Sequence, residues 1–365
     1  MKKILFGGKE SGPELGSDSD TIVAFYEHGR AKKVLGLLFF IAILVVISGY
    51  AMGMGSYSIS LTEVYGVIWE HLTHMSDGIT SLDMRVVWDA RLPRLLTALV
   101  AGIGLAAAGA CMQSMLKNPL ADPYTTGISS GASFGATIAI VLGITIGGSG
   151  GIVVNAFVFS LIPTAVILLL STLKKSSPTT MILAGISVMY VFNALTSWLM
   201  LTADETQMAA AYEWTIGTLN KGSWTTLPAM FAVTAAGSLA ILFSTKYLNA
   251  MNAGDDFAKT LGVNVNKIRI TLLGVVSVVA AGIVSFTGVI GFVGLVAPHM
   301  ARILIGSDNK LLIPGSMICG AIMMVGCDII SKLFTTSALP IGIITSLIGG
   351  PIFLILIMRQ RKEAW

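Results

Sequence analysis

The chain has 365 residues, of which 54% are hydrophobic and only 12% are charged, and its mean hydropathy is +0.82. A soluble domain carries about 25% charged residues, so this composition excludes a soluble globular protein. Long continuous apolar runs predict an all-α polytopic membrane protein rather than a β-barrel. The formal net charge is +4, and the three cysteines lie inside apolar runs, which favours small core residues over disulfides or metal ligands.

Residues 1–33 are polar and mixed in charge, and we expect a mostly irregular cytoplasmic tail followed by a retained first span. An apolar domain covers 34–358, and a short basic tail covers 359–365. The uncharged runs are 34–54, 95–116, 124–173, 176–203, 222–245, 270–301, 311–327 and 333–358. The third run is about twice the length of one span, and GGSGG at its middle predicts a turn.

The run 270–301 is too long for one straight span, because it makes about 48 Å of helix against about 30 Å of hydrocarbon. It contains three glycines and one proline, Gly288, Gly291, Gly294 and Pro298. Pro298 has no N–H, and its ring crowds the carbonyl of Gly294. We therefore predict a helix break near 288–298, with a long span, a glycine turn and a short half-buried helix that ends at Arg302.

Charge sets the number of spans. Both ends of the chain are basic, and short basic flanks stay in the cytoplasm, so the number of spans must be even. Counting the broken run twice gives ten transmembrane helices with both termini cytoplasmic. Eighteen of the 23 lysines and arginines then fall inside and five outside. The external segments are 55–94 and a second one around 204–224, and the largest internal loop is 246–269.

The internal loop contains GDDFAKTLGVNVNKIR at 254–269. We expect Asp255 to cap a short helix, Gly262 to end it, and one face to carry Phe257, Ala258 and Leu261. The chain has no P-loop and no carboxylate near the middle of a span, so it lacks an energy source of its own. The loop helix is therefore either a coupling helix that seats on a cytoplasmic ATPase or an ordinary solvated helix.

Two patterns inside the spans have open interpretations. In the fifth span Asn193, Thr196, Ser197 and Met200 share one helical face, which suits either a translocation path or hydrogen bonds between helices. The stretches 102–115 and 127–136 are rich in Gly, Ala and Ser, which favours close helix packing over a substrate path. Asp328 lies four residues before Lys332, where an ion pair would neutralise it.

Several motifs together resemble one family. These are RLPR at 91–94, GACMQ at 109–113, NPLADP at 118–123, SSGASFGA at 129–136, GFVGLVAPHMAR at 291–302 and LPIGIITSLIGGPIF at 339–353. In this order and spacing they resemble the FecCD-type permeases, which are the membrane subunits of ABC importers for iron–siderophore complexes, haem and vitamin B12. Residues 1–33 depart from the pattern, because the tail of the family is typically shorter.

The resemblance implies a homodimer in the cytoplasmic (inner) membrane, with the pathway at its two-fold axis. Two cytoplasmic ATPases would hold ATP and Mg, and an extracytoplasmic binding protein would deliver the substrate. This chain would bind no cofactor or nucleic acid and have no catalytic residues. The ATPase contacts would fall at about 254–266. Arg91, Arg94 and Lys332 would face the binding protein, although snorkelling or pairing with Asp89 is the simpler alternative for the arginines.

The substrate is not readable from the residues. The resemblance favours a ferric siderophore, with vitamin B12 and haem as alternatives. A self-sufficient secondary transporter and a receptor or scaffold that does not transport are other classes, and both are disfavoured by the missing intramembrane carboxylate and by the motifs.

Overall fold

A computed structural model describes residues 18–55, 57, 59–73, 81–173, 178–334 and 339–359, and every regular element in these ranges is helical. The first half contains α1 to α7, which are Asp18–Gly53, Leu61–Thr73, Ser81–Met84, Leu92–Leu116, Ile128–Val141, Gly151–Leu173 and Pro178–Met200. The second half contains α8 to α15, which are Glu205–Ile216, Leu227–Phe243, Thr245–Asn252, Asp255–Thr260, Val265–Thr287, Val293–Ile305, Asn309–Phe334 and Ile341–Arg359.

The first helix corrects the prediction of a mostly irregular tail. α1 begins at Asp18, so 18–33 continue the helix of the first span, while 1–17 lie outside the described residues. No proline interrupts 18–33, and adding residues to an existing helix costs far less than starting a new one. The predicted turn at GGSGG is confirmed, since Gly147 and Gly148 have positive φ and α6 begins at Gly151, the last residue of the motif.

Ten helices follow the predicted apolar runs, but they differ in length. Within the described ranges, six are long and apolar enough to cross a membrane, and they belong to α1, α4, α6, α7, α12 and α14. α9 and α10 pass the same test only as a pair that is bent by 52°. α5, α13 and α15 are shorter apolar helices.

The core lies around α4, which packs against α9, α12, α13 and α14, whereas α1 is hardly covered by other helices. Glycines allow these helices to approach backbone to backbone. A Cβ on Gly102 would lie 2.4 Å from the carbonyl oxygen of Gly320, and one on Gly109 would lie 2.0 Å from that of Gly294. The prediction of close packing through small residues is therefore confirmed for α4.

Candidate functional site

The predicted helix break is present, but it covers only 288–292 and not the whole of the predicted stretch 288–298. α12 ends at Thr287 and α13 begins at Val293, and the segment between them contains two residues with positive φ, Gly288 with φ +72° and Phe292 with φ +68°. A Cβ on Gly288 would lie 2.3 Å from the carbonyl oxygen of Trp214, so glycine is required there. Gly291 lies within the turn, as expected.

Pro298 does not form the break, which corrects that part of the prediction. It lies inside α13, and Gly294 lies in the first turn of the same helix. The carbonyl that Pro298 cannot satisfy belongs to Gly294, and Gln113 of α4 donates a hydrogen bond to it from Nε2 at 3.3 Å. Arg302 in turn donates to the Gln113 side-chain oxygen at 3.1 Å. A side chain from another helix thus supplies the backbone hydrogen bond that α13 lacks at Pro298.

The break is held against two neighbouring segments. The Thr218 N–H donates to the Thr287 carbonyl at 2.7 Å, and the Gly342 N–H donates to the Gly217 carbonyl at 3.3 Å. An open groove of about 590 Å³ lies beside it, lined by Thr215, Ile216, Val289, Gly291, Gly342, Ile343, Ser346 and Leu347. The end of α8 and the start of α15 therefore provide the protein cover that a broken helix at membrane depth requires.

The predicted path residues lie on the outer face of α7. Asn193 and Ser197 are exposed in the single subunit, and Thr196 and Met200 are half-buried. The Thr196 hydroxyl donates to the Phe192 carbonyl of its own helix at 2.8 Å, so this bond does not join two helices. Exposed amide and hydroxyl groups favour a polar or protein environment over lipid for these residues.

The predicted docking residues lie together at the opposite end of the core from the internal loop. Asp328 is fully buried and forms ion pairs with Arg94 Nε at 2.7 Å and with Lys332 Nζ at 2.8 Å. The i,i+4 pair of Asp328 with Lys332 was predicted and is confirmed. The pair with Arg94 was not predicted, and it joins α14 to α4.

Arg91 has a different environment from the one predicted. It is only 7% exposed and donates to the Met52 and Gly53 carbonyls at 2.7 and 3.2 Å, and also to the Tyr57 carbonyl. Lys332 donates to the Ala51 carbonyl at 3.2 Å. Two cations thus satisfy the last carbonyls of α1, where helix ends need donors and positive charge. Binding-protein docking by these three residues stays a prediction.

In the internal loop, Asp255 is not a helix cap, which corrects the prediction. Gly254 occupies the cap position, and Asp255 is the first residue of α11. Its carboxylate pairs with Lys117 Nζ at 2.8 Å and with Arg269 at 3.0 Å. Partial burial raises the pKa of Asp255, but the bonds with Lys117 and Arg269 outweigh burial and lower it. The lowered pKa stabilises this attachment above the ordinary pKa of aspartate, and the contribution is lost as the pH falls through the lowered value.

The face of α11 differs in one residue from the prediction. Phe257 and Leu261 are 52% and 59% exposed and lie four residues apart, but Ala258 is buried because it points into the protein. The predicted end at Gly262 is confirmed. Gly262 has φ +79°, its N–H donates to the Lys259 carbonyl at 2.9 Å, and the next N–H reaches the Ala258 carbonyl at 3.0 Å. This is a Schellman C-cap.

Sequence reasoning missed two features that surround the helix break. The role of Gln113 depends on contact with a helix 181 residues away, and no local pattern indicates it. α8 was also missed, although Asp204 and Gln207 form a capping box in which each side chain accepts from the other's backbone N–H. The spacing of Asp204 and Gln207 is a local signal that could have identified the start of this helix.

The geometry defines a class of protein: a multi-pass helical membrane protein with a broken helix at its centre and an exposed apolar pair on one loop helix. Comparison with known proteins agrees with this class. The FecCD transport family matches residues 38–359. The chain therefore belongs to the FecCD transport family, whose members are the membrane permeases of ABC importers.

Individual relatives match over nearly their whole length. A protein of Methanocaldococcus jannaschii named as an ABC transporter permease is 38% identical over 349 residues, covering 93% of this chain and 98% of the relative. The hemin transport system permease protein of Yersinia pestis is 33% identical, covering 92% and 99%. A solved structure described as an inward-facing metal-chelate type ABC transporter is 30% identical, with a TM-score of 0.79 and coverage of 89% and 99%.

Proposed function

We propose that this chain is the permease subunit of an ABC importer that passes a metal chelate, first of all a ferric siderophore, from an extracytoplasmic binding protein to the cytoplasm. The observation that carries the proposal is the family match over 38–359, together with a similar solved structure described as metal-chelate type. Haem is the second candidate, because one relative is named for hemin transport. Vitamin B12 remains a further alternative within the same architecture.

In this proposal the subunit crosses the inner membrane ten times with both termini cytoplasmic. Six long helices, one bent pair and three shorter apolar helices in the described ranges supply the ten crossings. The short helices α5 and α13 suffice because the protein covers much of the segments next to them: 121–123 and 126–127 are buried before α5, and the break at 288–292 is buried or half-buried before α13. The bias of lysine and arginine supports the orientation.

Two copies would form the transport unit, with the polar face of α7 at the pathway. Asn193 and Ser197 are exposed on this face, next to the half-buried Thr196 and Met200. A two-fold arrangement that brings this face towards its copy would remove the polar groups from lipid and give the substrate a hydrophilic wall. Differential affinity for the ATP-bound and free states of the ATPases would then drive alternating access.

The two ends of the core would bind different partners. On the cytoplasmic side, Phe257 and Leu261 would enter a groove on the ATPase, which holds ATP and Mg, while Asp255 fixes the helix to the core. On the outer side, the cluster of Arg91, Arg94, Lys332 and Asp328 carries more positive than negative charge. It would attract an acidic binding protein by long-range steering, with Arg91 acting mainly to position the first external loop.

The experiment is a comparison of substrates with the complete importer. The cognate binding protein is titrated with ferric siderophores, haem and vitamin B12, and the tightest ligand is then offered to the reconstituted importer. We expect a ferric siderophore to bind most tightly and to accumulate in vesicles. Tightest binding of haem or vitamin B12 would replace the substrate assignment, and failure to bind any of them would contradict import of a metal chelate.

A further inference from the structure

The segment between α1 and α4, which is external in the proposed topology, contains a helix that the transport proposal does not use. α2, Leu61–Thr73, is about 20 Å long, and Ser60 and Glu63 fix its start. The Ser60 N–H donates to the Glu63 carboxylate at 2.9 Å, and the Glu63 N–H donates back to the Ser60 hydroxyl at 3.3 Å. These two bonds form a capping box at the start of the helix.

The sequence of α2 divides into three sectors around the helix axis. At about 100° per residue, one sector of about 80° contains only large apolar side chains, and these are highly exposed. They are Leu61 at 45%, Tyr65 at 57%, Trp69 at 67% and Leu72 at 63%. The next sector is polar, with Thr62, Glu63, Glu70 and Thr73, and the third sector contacts the protein through Val64, Val67, Ile68 and His71.

The protein side of α2 is held firmly, so the exposed apolar sector has a fixed direction. The His71 ring lies 3.8 Å from the Trp88 ring, and Trp88 stacks on Trp224 at 5.0 Å between centroids. The Trp224 indole N–H donates to the Trp88 carbonyl at 2.9 Å. A helix fixed in this way cannot turn its four exposed apolar side chains inward.

The exposed sector of α2 continues the surface of α1. A Cβ on Gly49 would lie 3.1 Å from the Tyr65 hydroxyl, and one on Gly53 would lie 3.5 Å from the Leu61 side chain. The same part of α1 exposes Val45, Val46 and Tyr50, and the described part of the chain covers almost none of this 21-residue span. The natural environment of such a surface is lipid, and the α2 sector is adjacent to it.

We propose that α2 is an interfacial helix whose Leu61, Tyr65, Trp69 and Leu72 sector lies in the outer leaflet of the membrane. A tryptophan and a tyrosine on the apolar sector suit the boundary between head groups and acyl chains. A helix at the edge of a membrane protein needs one sector for lipid, one for water and one for contact with the protein, and α2 has all three. Lipid contact at this position would hold the external loop whose carbonyls Arg91 binds.

The charge of α2 indicates that the helix does not need anionic lipids for its contact with the membrane. The helix has two glutamates and neither lysine nor arginine, so attraction to anionic head groups does not contribute. Binding rests on the apolar sector and on the covalent connection to the neighbouring spans, which keeps α2 at the membrane. The proposal rests on the topology of the proposed function, which places 55–94 outside.

The test uses the full chain in phosphatidylcholine vesicles of defined orientation. An environment-sensitive fluorophore is attached to Trp69→Cys or Leu72→Cys, with Cys111, Cys319 and Cys327 replaced by alanine. Thr62→Cys on the polar sector is the matched control. We expect brominated acyl chains to remove most of the fluorescence at 69 and 72 and little at 62. External iodide should do the reverse. Retained assembly with the ATPase verifies that each variant is folded.

The other possible occupants give different results. Strong iodide quenching at 69 and 72 without an effect of brominated lipid would overturn the proposal in favour of water. Loss of that iodide quenching only when the binding protein is added would assign the sector to that partner. Shielding from both quenchers in the dimer would assign it to a second copy. A last result would separate lipid contact from topology. If brominated lipid quenches the fluorophore at 69, and the fluorophore at 62 is quenched only by iodide trapped inside the vesicles, then α2 contacts lipid but the assignment of 55–94 to the outside is wrong.

Discussion

At the scale of single residues, the helix that follows the break depends on one amide. Pro298 leaves the Gly294 carbonyl without its usual partner inside a buried helix, and Gln113 supplies the missing donor. Arg302 donates to the other end of the same amide and therefore fixes its orientation. The proline can stay within α13 because α4 satisfies the carbonyl group that the proline ring cannot.

Replacing Gln113 with leucine should therefore lower the stability of the folded subunit. A buried polar group without a partner costs about 1–3 kcal/mol, and we expect a loss of this size as a lower midpoint of thermal unfolding in detergent. Pro298→Ala restores an N–H at position 298 and is the matched background. The loss from Gln113→Leu should shrink in that background. An equal loss in both backgrounds would contradict the role assigned to Gln113.

Asp328 gives a second prediction at this scale. Asp328→Ala leaves Arg94 and Lys332 close together and mostly buried without their counter-charge. Removing one partner of a buried ion pair costs about 3–5 kcal/mol, so the variant should unfold at a clearly lower temperature. Asp256→Ala is the control, because its pair with Lys259 is exposed to solvent. Similar small effects of the two substitutions would show that the buried cluster is not structural.

The sequence could predict these residues only in part. The pair of Asp328 with Lys332 follows from a spacing of four on one helix, and the end of α11 follows from the glycine at position 262. The pair of Asp328 with Arg94 joins residues 234 positions apart, and it exists only because α4 and α14 pack together. The sequence also could not indicate that Arg91 binds backbone carbonyls, because a buried cation and an exposed one look the same in a motif.

At the scale of elements, α4 is positioned by contacts that exclude even a methyl group. Gly102 and Gly320 exclude side chains on each other, and Gly109 lies against the backbone of α13 directly at Gly294. Such approaches let dispersion forces and backbone contacts replace the hydrophobic driving force that is missing between helices in lipid. The density of small residues predicted this packing, but not which helices would meet.

Gly109→Ala tests this contact. The new Cβ would lie 2.0 Å from the Gly294 oxygen, so the helices must separate, at a cost of about 1–3 kcal/mol. Gly274→Ala is the matched control, because no described residue has an atom within 4 Å of its Cβ position. The control should be neutral or stabilising by roughly 0.5–1 kcal/mol, since alanine is the better helix former. Equal thermal midpoints of the two variants would refute backbone contact at Gly109.

α11 carries the prediction for coupling. Leu261→Asp puts a charge on the exposed apolar pair, and it should abolish co-purification with the ATPase while insertion and dimerisation continue. Lys259→Asp on the same helix is the control, because it changes charge outside that pair. Co-purification of the Leu261→Asp variant at the wild-type level would exclude this contact.

At the scale of the whole molecule, order along the chain and charge predicted most of the architecture. In the described part, six helices are long and apolar enough to cross a membrane, one bent pair passes the same test, and three shorter apolar helices follow the remaining runs, so the crossing of the membrane ten times stays a prediction. The exact conformation of the break could not be predicted, because Phe292 adopts a left-handed conformation that depends on packing around it. The assembly is equally invisible to one sequence. In the proposed homodimer, a second copy would cover the exposed Asn193 and Ser197 of α7.

The most direct measurement of the central claim is uptake by proteoliposomes that contain the permease, its ATPase and the binding protein. The account predicts that a radiolabelled ferric siderophore accumulates only when ATP is present on the cytoplasmic side. Omitting the ATPase, or replacing Leu261 with aspartate, should abolish accumulation. Uptake at the full rate by the permease alone, driven by an ion gradient and indifferent to ATP, would contradict the account.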